Sequence, residues 1–316
     1  MFVAANFLTM KIYLQFKFPA SAIEVLHAGL GAHELTENIQ EADVAFGLPA
    51  PDAVKNSPNV KWVQMASAGY DSFDKPDVRA WLNERGIVVS NSSNIYLEPC
   101  AQHALTMMLS LSRRIPQAAV NQSTSRVWKQ WDERKDTWLL KGQTVLLLSY
   151  GAIAKRLCEM LAPFQMNVIA VRRNVSGKES VKAITENELS EFLPTADHVV
   201  NILPGGDETL NYMDAAKFSQ MRRGSIYYSI GRGSTTDQAA IAEALNSGHL
   251  SAAYLDVTSP EPLPSDHELW TLPNCYITPH TAGGHHDEFI RIVQQFLENL
   301  KRFESGDGIL LLDRVI

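Results

Sequence analysis

The chain has 316 residues, 45% hydrophobic and 20% charged, too many for one hydrophobic core and suited to two ordinary domains. Its 28 Lys and Arg against 35 Asp and Glu leave a formal net charge of −7, which argues against a nucleic-acid or anionic-membrane surface, since neutralising phosphates needs concentrated cations. No apolar stretch approaches the roughly 20 residues that cross a bilayer, and Cys100, Cys158 and Cys275 lie far apart, as buried free thiols of a reducing, cytoplasmic compartment would.

The chain opens on MFVAANFLTM, apolar but without a leading cation or a convincing cleavage site, so residues 1–9 are expected to be a short extension, or the product of a misplaced start codon, and not a signal peptide. KIYLQF, ADVAFGL, KWVQMAS and GIVVSN are predicted strands separated by helical patterns, the rhythm of a parallel sheet with crossover helices. Residues 98–114, EPCAQHALTMMLSLSRR, predict a long helix closed by two cations, uncharged in its middle and so expected to be buried. A polar segment bearing Trp128, Trp131 and Trp138 follows without a strand signal. Strand–helix alternation resumes at QTVLLLS and runs through NVIAV, HVVNIL, SIYYSI, SAAYLDV and CYITP to a final amphipathic helix, DEFIRIVQQFLENLKRF. The pattern predicts an α/β protein in which a second unit, residues 98–283, interrupts a first one formed by residues 1–97 and 284–316.

Residues 146–157, LLLSYGAIAKRL, place one glycine between a strand-like run and a helical pattern. A dinucleotide fingerprint reads G-x-G-x-x-G in that context, with a cofactor-selecting residue about 20 positions on. Gly151 keeps the middle glycine, which lets the backbone approach a pyrophosphate, and Ala154 takes the third place, where alanine is an accepted packing alternative. Ser149 departs at the first place, where a Cβ sits less comfortably in a tight turn. The local motif leaves both a dinucleotide site and an ordinary strand–helix turn open. The next strand ends in Arg172 and Arg173 and not in a carboxylate. Guanidinium groups there would bind the 2′-phosphate of NADP(H), which a carboxylate would repel; two arginines solvating a strand end is the plainer alternative.

Three later stretches, SIGRGSTTD (229–237), AAYLDVTSPEPLP (252–264) and ITPHTAGG (277–284), each put a polar residue just after an apolar strand, where open α/β sheets bind ligands. Reducing a 2-keto acid by hydride needs a cation to hold the carboxylate and polarise the ketone, an acid to protonate its oxygen, and a partner that keeps the acid protonated. Arg232, His280 and Glu261 are the candidates. Singly, each has a plainer reading as a turn arginine, a core histidine or an exposed loop carboxylate; their ordered combination carries the weight.

From about Lys61 to beyond Gly284 the chain closely resembles the D-isomer-specific 2-hydroxyacid dehydrogenase family, which includes glyoxylate/hydroxypyruvate reductases. GRGSTTDQAAIAEALNSGHLSAAYLDVTSPEPLP and ELWTLPNCYITPHTAGG carry most of the likeness. The resemblance implies two doubly wound parallel-sheet domains, a Rossmann cofactor domain inserted into a flavodoxin-like substrate domain, with the active site in the cleft between them. It implies Arg232 as the catalytic arginine, His280 as the acid/base and Glu261 as the support of the histidine. Ala68 and Gly69, in SAGYD, would hold the substrate carboxylate through their N–H groups, together with Arg232 and His280. Cofactor contacts would come from Tyr150, Gly151, Ala152 and Ile153 at the turn, and from Arg172 and Arg173 at the second strand. Leu203, Pro204 and Thr209 would lie under the adenosine half. Ile230, Gly231, Arg232, Asp256, His280 and Gly283 would complete the set, Asp256 near the nicotinamide. Ser149 and Gln102, the latter where relatives carry Glu, depart from the family pattern.

The activity so implied is NADPH-dependent reduction of a small 2-keto acid to the D-2-hydroxy acid, NAD(H) being the other possible cofactor. Family members are commonly dimers, and the uncharged helix and the tryptophan arm suggest a homodimer here. No metal is expected, although His280, His285, His286 and Asp287 lie close together, because no HExxH or similar spacing is present. Two other readings stay open: a nucleotide-sensing, co-repressor-like binding protein, and a phosphoglycerate dehydrogenase, which the lack of a C-terminal regulatory extension disfavours.

Overall fold

Two strands of the first unit, Val44–Gly47 and Trp62–Met65, are buried along their whole length, and both are apolar apart from buried Gln64, because a parallel sheet is covered on both faces. The computed structural model describes residues 9–305 and 310–316; apart from Thr9, the extension expected at residues 1–9 lies outside the described residues. The chain divides into two compact units, Met1–Tyr96 with Gly284–Ile316, and Leu97–Gly283.

The first unit runs β1 (Lys11–Leu14), α1 (Ala20–Gly29), β2 (Glu34–Thr36), β3 (Val44–Gly47), α2 (Pro51–Lys55), β4 (Trp62–Met65), α3 (Pro76–Arg85) and β5 (Val88–Ser90), and it regains the chain in the final helix, Glu288–Glu304. Its five strands are parallel in the order β2-β1-β3-β4-β5, the flavodoxin-like winding. Side chains alternate across the sheet. Ile12, Val44, Phe46 and Trp62 face α1 and the final helix, whereas Ala45, Val63 and Val89 face the side of α2 and α3. The final helix buries Ile292, Val293, Phe296 and Leu300, and Phe296 stacks on Phe46 with ring centres 4.1 Å apart.

In chain order, α4 (Ser93–Ser112), α5 (Ile115–Ser123) and α6 (Gln130–Lys135) follow β5 and precede the strands of the second unit. The long helix starts five residues before the expected Glu98, with Pro99 inside it. Its first N–H groups are capped by the Asn91 side chain, which accepts from Ser93, and by Asp313, which accepts from Asn94. In the tryptophan arm Trp128 and Trp131 are exposed, by 90% and 72%, whereas Trp138 is half-buried.

The second unit continues with β6 (Thr144–Leu148), α7 (Ala152–Leu161), β7 (Asn167–Val171), β8 (Lys182–Ile184), α8 (Leu189–Phe192), β9 (His198–Asn201), α9 (Ala215–Gln220), β10 (Ile226–Ser229), α10 (Gln238–Asn246), β11 (Ala252–Leu255) and β12 (Cys275–Ile277). All seven strands are parallel, ordered β12-β11-β10-β9-β6-β7-β8. Both sheets are thus doubly wound, as the sequence predicts. The order reverses between β6 and β9, and the crevice at their carboxyl ends is where such sheets take ligands. No helix among the described residues is long and apolar enough to cross a membrane.

Candidate active site

The turn after β6 keeps a glycine-like backbone without the glycine: Ser149 has φ +101°, which for a residue with a Cβ costs on the order of 1–3 kcal/mol. Gly151 is the N-cap of α7, and no side chain caps that helix, so its first N–H groups stay open to an anion. A Cβ built on Gly151 would meet only Ser149 Oγ, at 3.9 Å. Packing within the protein therefore does not demand glycine there; a ligand lying over the turn would. Ala152 and Ile153 begin α7, and Ala154 is buried beneath them.

Beside this turn lies a recess of about 370 Å³, lined by Tyr150, Lys155, Arg172, Ser176, Glu179 and Ser180 among others. Tyr150 Oη bonds Ser180 Oγ at 2.8 Å. Arg172 Nη1 donates to Glu179 Oε1 at 2.5 Å, and Arg173 pairs in the open with Glu208 at 2.9 Å. The Glu179 side chain is only 2% exposed. The Ser176 N–H and hydroxyl, with Arg172, hold its pKa down at about 2. Its Oε2 is buried without a hydrogen-bond partner among the described residues.

After β9, Leu203 N–H donates to Asn201 Oδ1 at 3.0 Å, and Thr209 Oγ1 closes the loop on the Pro204 carbonyl at 2.7 Å. After β10, buried Ile230 leads into Gly231-Arg232-Gly233. A Cβ at Gly231 would lie 2.4 Å from the Leu203 carbonyl oxygen, and one at Gly233 1.8 Å from that of Thr258. Both glycines are therefore required by backbone crossings, and they pin the arginine between them. Arg232 Nη1 donates to the Gly231 carbonyl at 3.0 Å. Its own carbonyl accepts from Thr235 Oγ1 at 2.6 Å, which in turn is held by buried Asn201 at 2.7 Å.

The Gly233 crossing ties this turn to the loop carrying Glu261. Thr258 N–H donates to Glu261 Oε1 at 2.9 Å, and Glu261 Oε2 meets His280 Nδ1 at 2.7 Å. A carboxylate at Nδ1 fixes the ring so that Nε2 points away. That nitrogen has no partner among the described residues, and the His280 side chain is 52% exposed. His280 has φ +52° and is held by Asp256, whose carbonyl accepts its N–H at 2.8 Å. The Asp256 carboxylate accepts the N–H groups of Thr281 and Ala282 and the Thr278 hydroxyl at 2.6–2.9 Å. His103 Nε2 lies 3.2 Å from that hydroxyl; burial lowers the pKa of the ring, against the pull of Asp256. Asp256, expected beside the nicotinamide, is 2% exposed and sits beneath the His280 turn. Gly283 ends the unit just beyond that turn.

Ala68 and Gly69 belong to the first unit, in the loop after β4. The Ser67 carbonyl accepts from Ser92 N–H at 3.0 Å, and the Ala68 carbonyl from Asn91 Nδ2 at 2.7 Å. The N–H groups of Ala68 and Gly69 have no acceptor among the described residues. No group of three His, Cys, Asp or Glu side chains among those residues could hold a metal ion. Sequence reasoning missed Asn91, His103, Asn201, Thr258 and Thr278, which act through other residues. Only Thr258, three positions before Glu261 as in a capping box, left a local signal.

A doubly wound sheet with an open helix N-terminus at its switch point, and an arginine and a Glu–His pair at its strand ends, has the features of a nicotinamide-dependent oxidoreductase. Residues 105–282 match the model of the D-isomer specific 2-hydroxyacid dehydrogenase NAD-binding domain. A protein of Corynebacterium melassecola, described as an uncharacterized protein in the proB 3′ region, is 34% identical over 288 residues, 88% of this chain and 90% of its own length. Glyoxylate/hydroxypyruvate reductase B of Enterobacter sp. (strain 638) is 29% identical over 296 residues, 92% of this chain and 86% of that protein. A solved D-isomer specific 2-hydroxyacid dehydrogenase family protein from Klebsiella pneumoniae 342 superposes with a TM-score of 0.80 at 26% identity, covering 97% of each chain. The chain belongs to the D-isomer specific 2-hydroxyacid dehydrogenase family, whose members are NAD(P)-dependent enzymes.

Proposed function

We propose that this protein reduces a small 2-keto acid, glyoxylate or hydroxypyruvate or a near relation, to the D-2-hydroxy acid with NADPH. The observation that carries this reading is the 2.7 Å Glu261–His280 pair, with Nε2 open, joined through the Gly233 crossing to the Arg232 turn. Residues 98–283 act as the cofactor domain, and residues 1–97 with 284–316 as the substrate domain. Bound cofactor supplies the hydride. The open N–H groups at the start of α7 take its pyrophosphate, aided by the cations that line the recess, and the Leu203–Pro204 loop and Thr209 flank its adenosine half. Ala68 and Gly69 N–H groups and Arg232 bind the acid's carboxylate, and Arg232 polarises the ketone. His280 Nε2 delivers the proton to the carbonyl oxygen, while Glu261 supports the cationic ring.

Arg173 supports NADPH, because its exposed ion pair is worth only about 0–1 kcal/mol and yields readily to a phosphate. Glu179 favours NADH as a second reading: its unpartnered Oε2 suits a ribose hydroxyl, and its charge opposes a 2′-phosphate. The similarity to a glyoxylate/hydroxypyruvate reductase supports the substrate class. The exposed tryptophan arm supports a homodimer, and the composition a cytoplasmic protein. Initial rates with NADPH and NADH in parallel, against glyoxylate, hydroxypyruvate and phenylpyruvate, test the proposal. A higher kcat/KM with NADPH and turnover of the smaller acids are expected; no turnover with either cofactor refutes it.

A further inference from the structure

The two N–H groups assigned to the substrate carboxylate raise the question of what aims them. In a trans peptide the carbonyl of one residue and the N–H of the next point in opposite directions, so a donor fixed on the carbonyl also fixes the N–H. Ser92 N–H, on the Ser67 carbonyl at 3.0 Å, orients the Ala68 N–H in this way. Asn91 Nδ2, on the Ala68 carbonyl at 2.7 Å, orients the Gly69 N–H. Ser67 Oγ closes the loop on the Gly69 carbonyl at 2.6 Å.

Asn91 is itself immobilised. It is 2% exposed, and each of its polar groups is engaged. Its N–H donates to the Asp313 carbonyl at 3.0 Å. Its carbonyl accepts from Gln64 Nε2 and Gln295 Nε2, each at 2.8 Å. Its Oδ1 caps α4 through Ser93 N–H at 3.2 Å. The side chain must therefore accept on one branch and donate on the other, which an amide does and a carboxylate, hydroxyl or methyl does not. A hydrogen-bonded carbonyl also polarises its peptide and makes the N–H a better donor. A loop held this way is organised before an anion arrives, so no binding energy goes into ordering it.

We infer that Asn91 is a positioning residue for the carboxylate-binding loop: it holds the Ala68–Gly69 peptide so that the Gly69 N–H is presented to the acid. The inference rests on the reading of Ala68 and Gly69 as carboxylate donors. Asn91→Asp keeps the helix cap but sets an oxygen against the Ala68 carbonyl; Asn91→Ser withdraws the donor. Both variants should raise KM for the keto acid about tenfold, the size of one lost hydrogen bond. KM for the nicotinamide cofactor should stay within about twofold, and thermal melts should report a cooperative fold. Keto-acid KM within about twofold of wild type in the folded variants overturns the inference. In wild-type protein, saturation with oxamate should shift the Gly69 amide and the Asn91 side-chain amide resonances together, a measurement that stands even if the variants do not fold. A Gly69 shift with an indifferent Asn91 refutes the positioning role alone. An indifferent Gly69 refutes the carboxylate reading, and the inference with it.

Discussion

The backbone carbonyl of Asp256 accepts the His280 N–H at 2.8 Å, and its carboxylate takes the next two amides at 2.8 and 2.9 Å. Three consecutive N–H groups thus converge on one buried residue, and the left-handed conformation of His280 follows from that convergence. Asp256→Asn keeps the shape but replaces one acceptor oxygen by a donor that faces other donors. Hydrogen bonds to charged groups contribute about 1.5–3 kcal/mol each. The variant should lose about 2–4 kcal/mol of stability in denaturant titrations, and its kcat should fall in parallel as the histidine loses its place. Unchanged stability would show that the carboxylate does not hold the turn.

His280→Ala should lower kcat by roughly 10²- to 10⁴-fold, the range for a missing proton donor. Glu261→Gln preserves the size of the group but not its charge, and a loss of about 10- to 100-fold is expected, smaller because the ring remains. Steady-state rates with saturating cofactor check both. A tenfold loss or less in His280→Ala would exclude it as the acid.

Ser149→Gly should stabilise the protein by about 1 kcal/mol, because relief of on the order of 1–3 kcal/mol of strain outweighs the ~0.5–1 kcal/mol of added chain entropy. Ser149→Val should destabilise it. Denaturant midpoints decide the matter, and a Gly variant less stable than wild type would mean that the serine side chain does more than tolerate the turn.

Buried His198 donates from or accepts at both ring nitrogens, with Tyr228 Oη 3.0 Å from Nδ1 and Gln143 Oε1 2.8 Å from Nε2. Burial lowers its pKa to about 4. The unfolded chain, with its histidine near 6.5, binds this proton first as pH falls. His198 therefore contributes stability fully above about pH 6.5 that is lost progressively as pH falls toward 4. The loss amounts to roughly 3 kcal/mol. The unfolding free energy measured between pH 7 and 4 should fall by about that amount, and His198→Phe should remove one proton from the slope.

Glu179→Gln removes the charge that opposes a 2′-phosphate and frees Arg172. The ratio of kcat/KM for NADPH over NADH should rise several-fold. A fall in that ratio would mean that Glu179 holds Arg172 in the pose that binds the phosphate.

The predicted strands were legible because apolar runs covered on both faces announce themselves, as Val44–Gly47 does. Two escaped: β2 and β8, three residues each, stand at sheet edges and show too few apolar residues for any periodicity. The expected start of α4 at Glu98 falls five residues late, because part of what caps its true start is remote: Asp313, 219 residues away, accepts from Asn94 N–H. At the candidate site, Arg232, Glu261 and His280 stood out as polar residues after strands. Asn201, Thr278 and His103 did not, since their partners lie 34, 22 and 175 residues away. The glycines around Arg232 were visible as letters, but the backbone crossings that require them appear only in three dimensions.

The tryptophan arm offers an optical test of the proposed pairing. Trp128 and Trp131 stand 90% and 72% exposed, whereas Trp62 is fully enclosed among aromatic rings. Their emission should be red-shifted and readily quenched by iodide in a dilute monomer, and should move to the blue and become shielded when a second copy covers the arm. Trp62 contributes a constant blue component, so a dilution series read by fluorescence would test the proposed homodimer without any added label, and an emission that ignores dilution would count against pairing through the arm.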